Sequence, residues 1–313
     1  MAVPPRGRAE LPAGIGPAVM TFGVFDGVHR GHAALLEATR QAAEIRGLPS
    51  VVLVFEPHPD EVVRPGSQVP RLAPLSVNLR NCAVRGMTHA LAYPFDDGIR
   101  NLEAGAFLAA LAPAIVPRVL VMTPDMAFGR NRGGTVDAMR DHGHAAGFEV
   151  EVVEPVTEDG EAISSTRIRR AVAAGDLATV RRLGRPAYLE GTVVEGDHRG
   201  RELGFPTANL RIDYTPAMPP LGIYTGRVSV PERGVGPGHP ALVSIGVRPT
   251  FHTDGQLLVE VHLLDFEGDL YGARLELELY DRLRDEMRFD DVPSLVAQMR
   301  KDEAAARRLL GTS

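Results

Sequence analysis

The sequence predicts an α/β domain built on a parallel sheet, followed by a mainly antiparallel sheet or small barrel and a last helix. Three observations lead to this fold class. Apolar runs alternate with helical patterns up to about residue 183, as in βαβ units. After “GRP” at 184–186, short alternating strands follow one another without helices between them. A single helical pattern then closes the chain. We therefore predict domains at 1–183 and 184–313.

The first domain is predicted element by element. Its opening unit is the strand “AVMTFGVF”, the helix “HAALLEATRQAAEIRG” that ends at Gly47, and the strand “VVLVF”. “THALAYPF” and “RVLVMTP” are two more strands, with the helix “NLEAGAFLAALA” between them. “TVDAMRDHGHAAG” and “FEVEVVEPV” repeat the order of helix and strand. “STRIRRAVAAGDLATVRRLG” predicts two short helices broken at Gly175-Asp176.

The second domain is predicted from alternation and from the Gly, Pro and Asp residues between strands. Its strands are “YLEGTVVEG”, “GIYTGRVSV”, “ALVSIGV”, “LLVEVHLLDF” and “RLELELYDRL”. The last helix is “VPSLVAQMRKDEAAARRLLG”. This order predicts an antiparallel sheet or a small barrel.

Composition excludes several classes of protein. The formal charge of −6 argues against a nucleic-acid binder that relies on bulk positive charge. Cys82 is the only cysteine, so intramolecular disulfides and cysteine-rich zinc sites are excluded. No apolar run reaches the length of a membrane span, and the first residues lack the apolar core of a signal peptide. We expect a cytoplasmic protein with no membrane partner, and the sequence does not predict an oligomeric state.

The chain has one lysine, Lys301, which lies in the last helix. A Walker A loop needs a lysine that reaches the terminal phosphates, and a Schiff-base enzyme needs a catalytic lysine. Both classes are therefore excluded. Phosphate has to be held by arginine, histidine, backbone amides or a metal ion.

Two histidines follow the first strand in “GVFDGVHRGH”. The loop after a strand of a parallel sheet opens at the carboxyl edge, where ligands of such sheets bind. The next helix points its N–H groups and its positive dipole end at the same place. His29 and His32 therefore lie where an anion binds, and Gly27 and Gly31 allow backbone to approach it. A nucleotide phosphate fits this position.

Two other interpretations of the histidines stay open at this point. His29, His32, His58 and Asp26 together have the donor types of a zinc or iron site. The two histidines are three residues apart, however, whereas metal-binding pairs on a helix are usually four apart. A purely structural role at the turn is the third interpretation.

The stretch “ISSTRIRR” at 163–170 is the second half of the phosphate argument. Ser164, Ser165 and Thr166 are residue types that cap helices, which is a sufficient structural explanation. Hydroxyl groups at a helix start followed by Arg167 and Arg169 also suit a polyphosphate. The combination of H-x-G-H with I-S-S-T-x-x-R resembles the paired signature of the nucleotidyltransferase superfamily.

The second domain has its own candidate phosphate loop in “RGRELGFPTANL”. Thr207 and Asn209 can both offer oxygen to Mg²⁺, which prefers hard ligands, although a plain turn explains the same residues. Gly200 and Gly204 allow the loop to fold over phosphates. In “LLVEVHLLDF”, Glu260 is a charge in an apolar strand and needs a partner or a function.

Taken together, the motifs resemble the bacterial bifunctional riboflavin kinase/FMN adenylyltransferase (FAD synthetase) family. The resemblance covers nearly the whole chain from about residue 18 and runs in the family's order. Its stretches are “GVFDGVHRGH”, “VVLVFEPHP”, “ISSTRIRR”, “LGRP”, “GTVVEGDHRGRELGFPTANL”, “GIYTGRV”, “IGVRPTF”, “VEVHLLDFEGDLYG” and “LRDEMRF”. It implies a Rossmann-like nucleotidyltransferase domain followed by a riboflavin-kinase β-barrel.

For the first domain, the resemblance implies that FMN and ATP give FAD and pyrophosphate by direct attack of the FMN phosphate. His29 and His32 would contact the ATP phosphates, and Arg169 would hold the departing pyrophosphate. The remaining residues implied to bind nucleotide there are Gly23, Phe25, Asp26, Gly27, Gly31, Ser164, Ser165 and Thr166.

For the second domain, the resemblance implies transfer of phosphate from ATP to riboflavin, which gives FMN. Thr207 and Asn209 would hold Mg²⁺ with ATP, and Gly200 and Gly204 would bind the nucleotide. Glu260 would take the proton of the riboflavin 5′-hydroxyl. Arg284 and Glu286 would contact the flavin, although “LRDE” is equally well explained as a solvated run of charges. Riboflavin, FMN and ATP are thus the expected small-molecule partners.

The sequence also departs from the family's pattern. Thr123 and Met126 in “TPDMAFG” replace a glycine and an aromatic residue, Asn78 stands where a basic residue is frequent, and Val24 replaces a frequent asparagine. These positions bear on nucleotide and flavin contacts. A different adenylyl or cytidylyl transferase, and a binding module that has lost one activity, are the rival interpretations.

Overall fold

The computed structural model describes residues 11–12, 14–196, 200, 203–248 and 256–312. Parts of two motif stretches, at 197–199, 201–202 and 249–251, lie outside the described residues. The chain divides into two compact units, residues 1–69 with 74–165 and residues 70–73 with 166–313. The predicted functional boundary between residues 183 and 184 is a separate matter and stays a prediction.

The first unit is built on a five-stranded parallel sheet, as the sequence predicts. Its strands are β1 (Gly16–Gly23), β2 (Ser50–Glu56), β3 (His89–Pro94), β4 (Ile115–Met122) and β5 (Glu149–Val152). Their order across the sheet is β3-β2-β1-β4-β5, and each neighbouring pair is parallel. Consecutive strands thus run outward from β1 on one side and from β4 on the other. The order changes direction between β1 and β4, and open α/β sheets bind ligands at the carboxyl end of such a point.

Helices cover both faces of this sheet. The α-helices that lie between these strands along the chain are α1 (Arg30–Arg46), α2 (Pro59–Val63), α3 (Leu75–Val84), α4 (Asp97–Arg100), α5 (Ala104–Leu111) and α6 (Val136–Ala146). Alternate residues of β1 enter opposite cores, since side chains of a strand alternate. Met20 and Phe22 pack with α5 and α6, whereas Val19 packs with α1 and α3. The short strands β6 (Thr157–Glu158) and β7 (Glu161–Ala162) form a hairpin.

Two helices follow the hairpin, as predicted. They are α7 (Ser165–Ala173) and α8 (Leu177–Leu183). The break falls at Gly175, which has φ of 74°, and Asp176 caps α8 by accepting the N–H of Thr179 at 3.0 Å. In the second unit, α8 packs against β8 (Ala187–Val194) and β13 (Arg274–Arg284).

The second unit contains a closed six-stranded barrel. The other strands are β9 (Ala208–Arg211), β10 (Gly222–Val230), β11 (Val235–Arg248) and β12 (Gln256–Leu263). The order around the barrel is β10-β11-β12-β9-β8-β13, and every pairing is antiparallel. The last helix, α9 (Val292–Leu310), packs against β10, β11 and β13. The predicted fold class is confirmed. Of the two predicted forms of the second domain, an antiparallel sheet or a small barrel, the structure has the barrel.

One local prediction was wrong. The sequence predicts a turn at residues 206–209, but Ala208 and Asn209 begin β9. The strand has four residues and its neighbours, β8 and β12, are distant along the chain. A segment this short shows little alternation, so pairing with other strands determines its structure.

Candidate active sites

The first candidate site is the loop between β1 and α1, beside the point where the sheet changes direction. The backbone of Phe25, Gly27 and Val28 lies in the left-handed region, with φ of 50°, 78° and 38°. Such a conformation is unusual for residues with side chains, and Val28 is β-branched. The loop turns the chain sharply from the end of β1 into the start of α1.

The two histidines are held together at the start of α1. His29 is the N-cap residue, and its Nδ1 accepts the backbone N–H of His32 at 3.3 Å. The imidazole rings are stacked, with centroids 3.7 Å apart and planes 18° apart. Because Nδ1 of His29 accepts a hydrogen bond, the neutral ring carries its proton on Nε2. The sequence-predicted pair is thus one compact group at a helix N-terminus, where an anion is favoured.

Close packing around the pair requires small or aromatic neighbours. A Cβ atom at Gly31 would lie 3.2 Å from the ring of His29 and 3.3 Å from the carbonyl oxygen of Ile163. At Gly23, a Cβ would lie 3.3 Å from the ring of Phe25. Phe25 is buried, and its ring centroid lies 4.9 Å from that of His32. The predicted glycines therefore give space to the aromatic and imidazole rings.

The serine of the second motif reaches this loop. Ser165 donates its hydroxyl to the backbone carbonyl of Asp26 at 3.0 Å, and the side chain of Asp26 is buried. Ser164 precedes α7 and is exposed, as is Thr166. The structure thus brings together Asp26, His29, His32 and Ser165 within the first unit.

Thr166 and Arg169 belong to the second unit. There, Nε of Arg169 donates to the backbone carbonyl of Pro70 at 2.7 Å. The neighbouring Arg71 pairs with Pro216 and donates its backbone N–H to Thr215 at 2.8 Å. Residues 70–73 are therefore a short segment that is tied to the second unit.

The zinc or iron interpretation finds no ligand group in the described part of the chain. No three His, Cys, Asp or Glu side chains are grouped there so that they could hold a metal ion. His58 caps α2 instead, where its Nδ1 accepts the N–H of Asp60 at 3.1 Å.

The stretch after β4 that departs from the family pattern, “TPDMAFG”, packs against the hydrophobic core of the first unit. Phe128 lies edge-on to Phe22, with ring centroids 4.6 Å apart, and Met126 packs against the same core. Gly129 has φ of 71°, and a Cβ there would lie 2.7 Å from the backbone nitrogen of Ala104. Thr123 donates its hydroxyl to Asp125 at 2.7 Å. The replacements are accommodated without loss of the aromatic cluster.

The second candidate site is a cavity of about 1270 Å³ in the barrel unit. Polar residues converge on it from four strands, β9, β11, β12 and β13, and the rest of the lining is mainly apolar, as in small-molecule sites. Six of the seven residues that the sequence predicts for this site line the cavity: Gly200, Thr207, Asn209, Glu260, Arg284 and Glu286. The seventh, Gly204, is not one of the lining residues. The apolar lining includes Phe205, Phe266, Met287, Leu295 and Met299.

Glu260 and Asn209 are neighbours on adjacent strands of the barrel wall. They are directly opposite in the antiparallel pair β9–β12, and Ser244 is opposite Glu260 on the other side, in β11. Opposite residues in such a pair have Cβ atoms roughly 5 Å apart, on one face of the sheet. A carboxylate, an amide and a hydroxyl thus form a row on the cavity wall.

Asn209 has the feature expected of a cation ligand. The residue is buried, and its Oδ1 has no hydrogen-bond donor among the residues that the structure describes. A buried amide oxygen without a donor is costly unless something else binds it. Thr207 is half-buried on the same cavity, so the two predicted oxygen ligands fit Mg²⁺.

Two glycines before Asn209, Gly200 and Gly204, have specific backbone roles. Gly200 accepts the backbone N–H of Phe205 at 2.8 Å and that of Leu203 at 3.2 Å. A Cβ at Gly200 would overlap the carbonyl oxygen of Phe205. Gly204 has φ of 84°, a conformation that glycine adopts without strain.

Arg284 is engaged by an acidic residue that the sequence did not single out. Its guanidinium donates to both carboxylate oxygens of Asp302 in α9, at 2.7 to 3.1 Å, and to the carbonyl of Asp285 at 2.8 Å. Gln298 also donates to Asp302, at 2.8 Å. Asp302 is 5% exposed and lines the cavity. In the sequence it is one charge of a helical run, so nothing marks it as buried.

Two further acidic residues have clear positions. The carboxylate of Glu286 lies over Gly246, where any side chain would overlap it. Asp265 accepts two hydrogen bonds from Arg307, at 2.6 and 2.7 Å, and these hydrogen bonds lower the pKa of its carboxyl group.

Comparison with known proteins gives matches to both halves of the chain. A family model described as FAD synthetase matches residues 13–167, and a model described as riboflavin kinase matches residues 183–310. A relative from Pseudomonas fluorescens is 39% identical over 297 residues, which are 94% of each chain. A relative from Escherichia coli K12 is 38% identical over 295 residues, 94% of this chain and 93% of its own. Both are described as bifunctional riboflavin kinase/FMN adenylyltransferase.

A solved structure from Streptococcus pneumoniae is also similar. It superposes with a TM-score of 0.85 at 31% identity and covers 95% of this chain and 96% of its own. That protein is described as a macrolide-efflux protein. Among the residues described for the present chain, no helix has the length and apolar character needed to cross a membrane.

Proposed function

Because the chain belongs to the bifunctional riboflavin kinase/FMN adenylyltransferase family, we propose how its own residues carry out the two reactions. The C-terminal riboflavin kinase makes FMN from riboflavin and ATP, and the N-terminal FMN adenylyltransferase makes FAD and pyrophosphate from FMN and ATP. The assignment of individual residues and of Mg²⁺ is the proposal.

For the kinase, Glu260 is the general base. It accepts the proton of the riboflavin 5′-hydroxyl as that oxygen forms its bond to the γ-phosphorus of ATP and ADP leaves. Asn209, directly opposite, and Thr207 hold Mg²⁺ with ATP. The metal ion neutralises phosphate charge when it is bound. The glycine-rich loop with Gly200 and Gly204 lies over the nucleotide.

The flavin occupies the apolar part of the same cavity. Arg284 and Glu286 contact it at the end of β13 in this proposal. The ion pair with Asp302 fixes the guanidinium of Arg284, so Arg284 contributes a rigid group and not a mobile one. The wall formed by Leu295 and Met299 of α9 then depends on the same ion pair.

For the adenylyltransferase, a phosphate oxygen of FMN attacks the α-phosphorus of ATP and pyrophosphate leaves. No protein nucleophile is needed, so the residues position the reactants and stabilise charge. His29 donates Nε2–H to a phosphate oxygen, and His32 donates nearer the reacting centre. Arg169, with Ser165 and Thr166, holds the departing pyrophosphate. Gly23, Phe25, Asp26, Gly27, Gly31 and Ser164 shape the nucleotide site.

The position of Glu260 next to Asn209 on adjacent strands of one cavity carries this proposal, because it places a base beside a cation ligand. Two variants test it in paired assays with ATP and Mg²⁺, one supplied with riboflavin and the other with FMN. Glu260→Gln keeps size and hydrogen bonding but removes the base, so we expect FMN formation to fall roughly 10² to 10⁴-fold. His32→Ala should lower FAD formation from supplied FMN roughly 10² to 10³-fold.

Each variant is the control for the other. Glu260→Gln should leave FAD formation from FMN nearly unchanged, and His32→Ala should leave FMN formation from riboflavin nearly unchanged. Glu260→Gln with parent kinase turnover would exclude Glu260 as the base. Lower melting temperature and weaker binding with turnover preserved at saturation would assign Glu260 a structural role. A cytoplasmic location and the absence of nucleic-acid and membrane partners stay predictions.

A further inference from the structure

The loop that carries the two histidines is held in a conformation that it would not adopt alone. Three of its residues, Phe25, Gly27 and Val28, have left-handed backbones. Phe25 and Val28 have side chains, so this conformation costs free energy and persists only where surrounding groups determine it. The contacts that hold the loop therefore bear on the placement of His29 and His32.

Two polar side chains hold adjacent backbone groups of this loop. The N–H of Gly27 donates to Oδ1 of Asn78 in α3 at 3.0 Å, and the carbonyl of Asp26 accepts the hydroxyl of Ser165 at 3.0 Å. Within the loop, the N–H of Val28 donates to the carbonyl of Phe25 at 3.2 Å, which closes a turn. Both the carbonyl and the N–H of the peptide group between Asp26 and Gly27 are therefore held by side chains from other elements.

Asn78 is suited to this position by its chemistry. Asn78 is 5% exposed, and its amide oxygen accepts the partly buried N–H of Gly27. Leucine has similar size but no acceptor, and lysine and arginine are donors only. Without an acceptor at residue 78, the N–H of Gly27 loses its partner, and even a partly buried N–H without a partner costs free energy.

A shift of the loop changes the position of both imidazoles. His29 directly follows Val28, caps α1 through the N–H of His32, and stacks on the ring of His32. The rings are therefore coupled to the backbone that Asn78 fixes. Displacement of about 1 Å in such groups can lower a rate about 10²-fold.

We propose that Asn78 is a positioning residue for adenylyl transfer. Its amide oxygen fixes the Gly27 N–H and, through the loop, aims His29 and His32 at the phosphates of ATP. This inference rests on the proposed use of the two histidines. Because Asn78 acts on the geometry at the reacting centre, we expect its replacement to lower kcat more than it weakens substrate binding.

The test compares Asn78→Leu, which removes the acceptor at similar size, with Asn78→Asp, which keeps an acceptor oxygen. Steady-state FAD formation from supplied FMN gives kcat and KM for ATP, and melting temperatures are measured on the same preparations. We expect Asn78→Leu to lower kcat about 10 to 100-fold. Asn78→Asp should keep most of the parent kcat, while its charge raises KM for ATP. FMN formation from riboflavin is the internal control and should stay at the parent rate in both.

Parent kcat in Asn78→Leu would overturn the proposal, and so would an equal loss of kcat in Leu and Asp variants. If Asn78→Leu does not fold, Asn78→Ala replaces it, because alanine removes the acceptor without adding bulk. His32→Ala in the same series separates the two proposals. Full FAD formation in His32→Ala would contradict the role of the histidines. A loss in His32→Ala together with parent kcat in Asn78→Leu would contradict only the role of Asn78.

Discussion

At the scale of residues, the amide oxygen of Asn209 gives the most direct test of metal binding. Asn209→Leu removes the oxygen and keeps the volume. We expect the Mg²⁺ concentration for half-maximal FMN formation to rise at least about tenfold, the usual loss even for residues that only support a metal ligand. A titration of kinase rate against Mg²⁺ measures this.

Asn209→Asp is the matched control, since it keeps an oxygen for the cation. It should need less Mg²⁺ than the Leu variant. An unchanged Mg²⁺ requirement in Asn209→Leu would show that the oxygen binds something else. FAD formation from supplied FMN should stay at the parent rate in both variants.

The single cysteine predicts a simple reporter of unfolding. Cys82 is completely buried against α1 and the sheet, and burial raises the pKa of its thiol to about 12. The thiolate is the reactive form, so the folded chain should resist a thiol reagent at pH 8. In denaturant, one thiol per chain should react. Rapid labelling of the folded chain would contradict the burial of Cys82.

The same shift has a consequence for pH dependence. The pKa of Cys82 is raised in the folded chain, so the unfolded chain loses its thiol proton first as pH rises. Stability is therefore unaffected at neutral pH and falls between the unfolded pKa, roughly 8.5, and the folded pKa.

At the scale of elements, the C-terminal helix depends on the ion pair between Arg284 and Asp302. Both side chains are largely buried, with 17% and 6% of their areas exposed. Asp302→Ala leaves the guanidinium without its carboxylate, and such a change costs about 3 to 5 kcal/mol. We expect a lower unfolding midpoint in denaturant and a higher KM for riboflavin, because α9 lines the cavity.

Two controls accompany this variant. Asp290→Ala removes an exposed carboxylate just before α9 and should change neither quantity. Replacing both partners by apolar residues, Arg284→Met with Asp302→Leu, should recover much of the lost stability. If stability returns while the KM for riboflavin stays high, Arg284 contacts the flavin. Recovery of both quantities would limit Arg284 to holding α9.

At the scale of the whole molecule, the two activities should separate. A fragment of residues 185–313 should phosphorylate riboflavin and make no FAD, because the predicted kinase residues all follow residue 184. A fragment of residues 166–313 should do the same with a higher melting temperature. It keeps α8, whose Arg181 donates to the backbone of Tyr280 and whose Leu183 is buried.

The product of each fragment and its melting temperature are measured together. A folded fragment 166–313 that makes no FMN would contradict the assignment of the barrel residues. Equal melting temperatures would show that α8 adds nothing to the barrel, and the predicted boundary at 184 would then be sufficient.

The sequence by itself determined the fold class, the order of the two domains and the candidate residues of both sites. Local periods of hydrophobic residues marked β1 to β5 and α1, and the glycines and histidines of “GVFDGVHRGH” marked the first site. Family membership followed from motif order, and the comparisons confirm it. These features depend on neighbouring residues, so one sequence is enough to predict them.

Only the tertiary structure decided which distant residues meet. The pairing of Asn209 with Glu260, the bond from Gly27 to Asn78 and the burial of Asp302 each join segments far apart in the chain. β9 is a strand because β8 and β12 lie on either side of it, and its four residues carry too little alternation to show this. The physical reason is common to all four cases. The partner of a side chain or of a short strand lies on another element of the fold. The local sequence pattern contains no information on the position of that element.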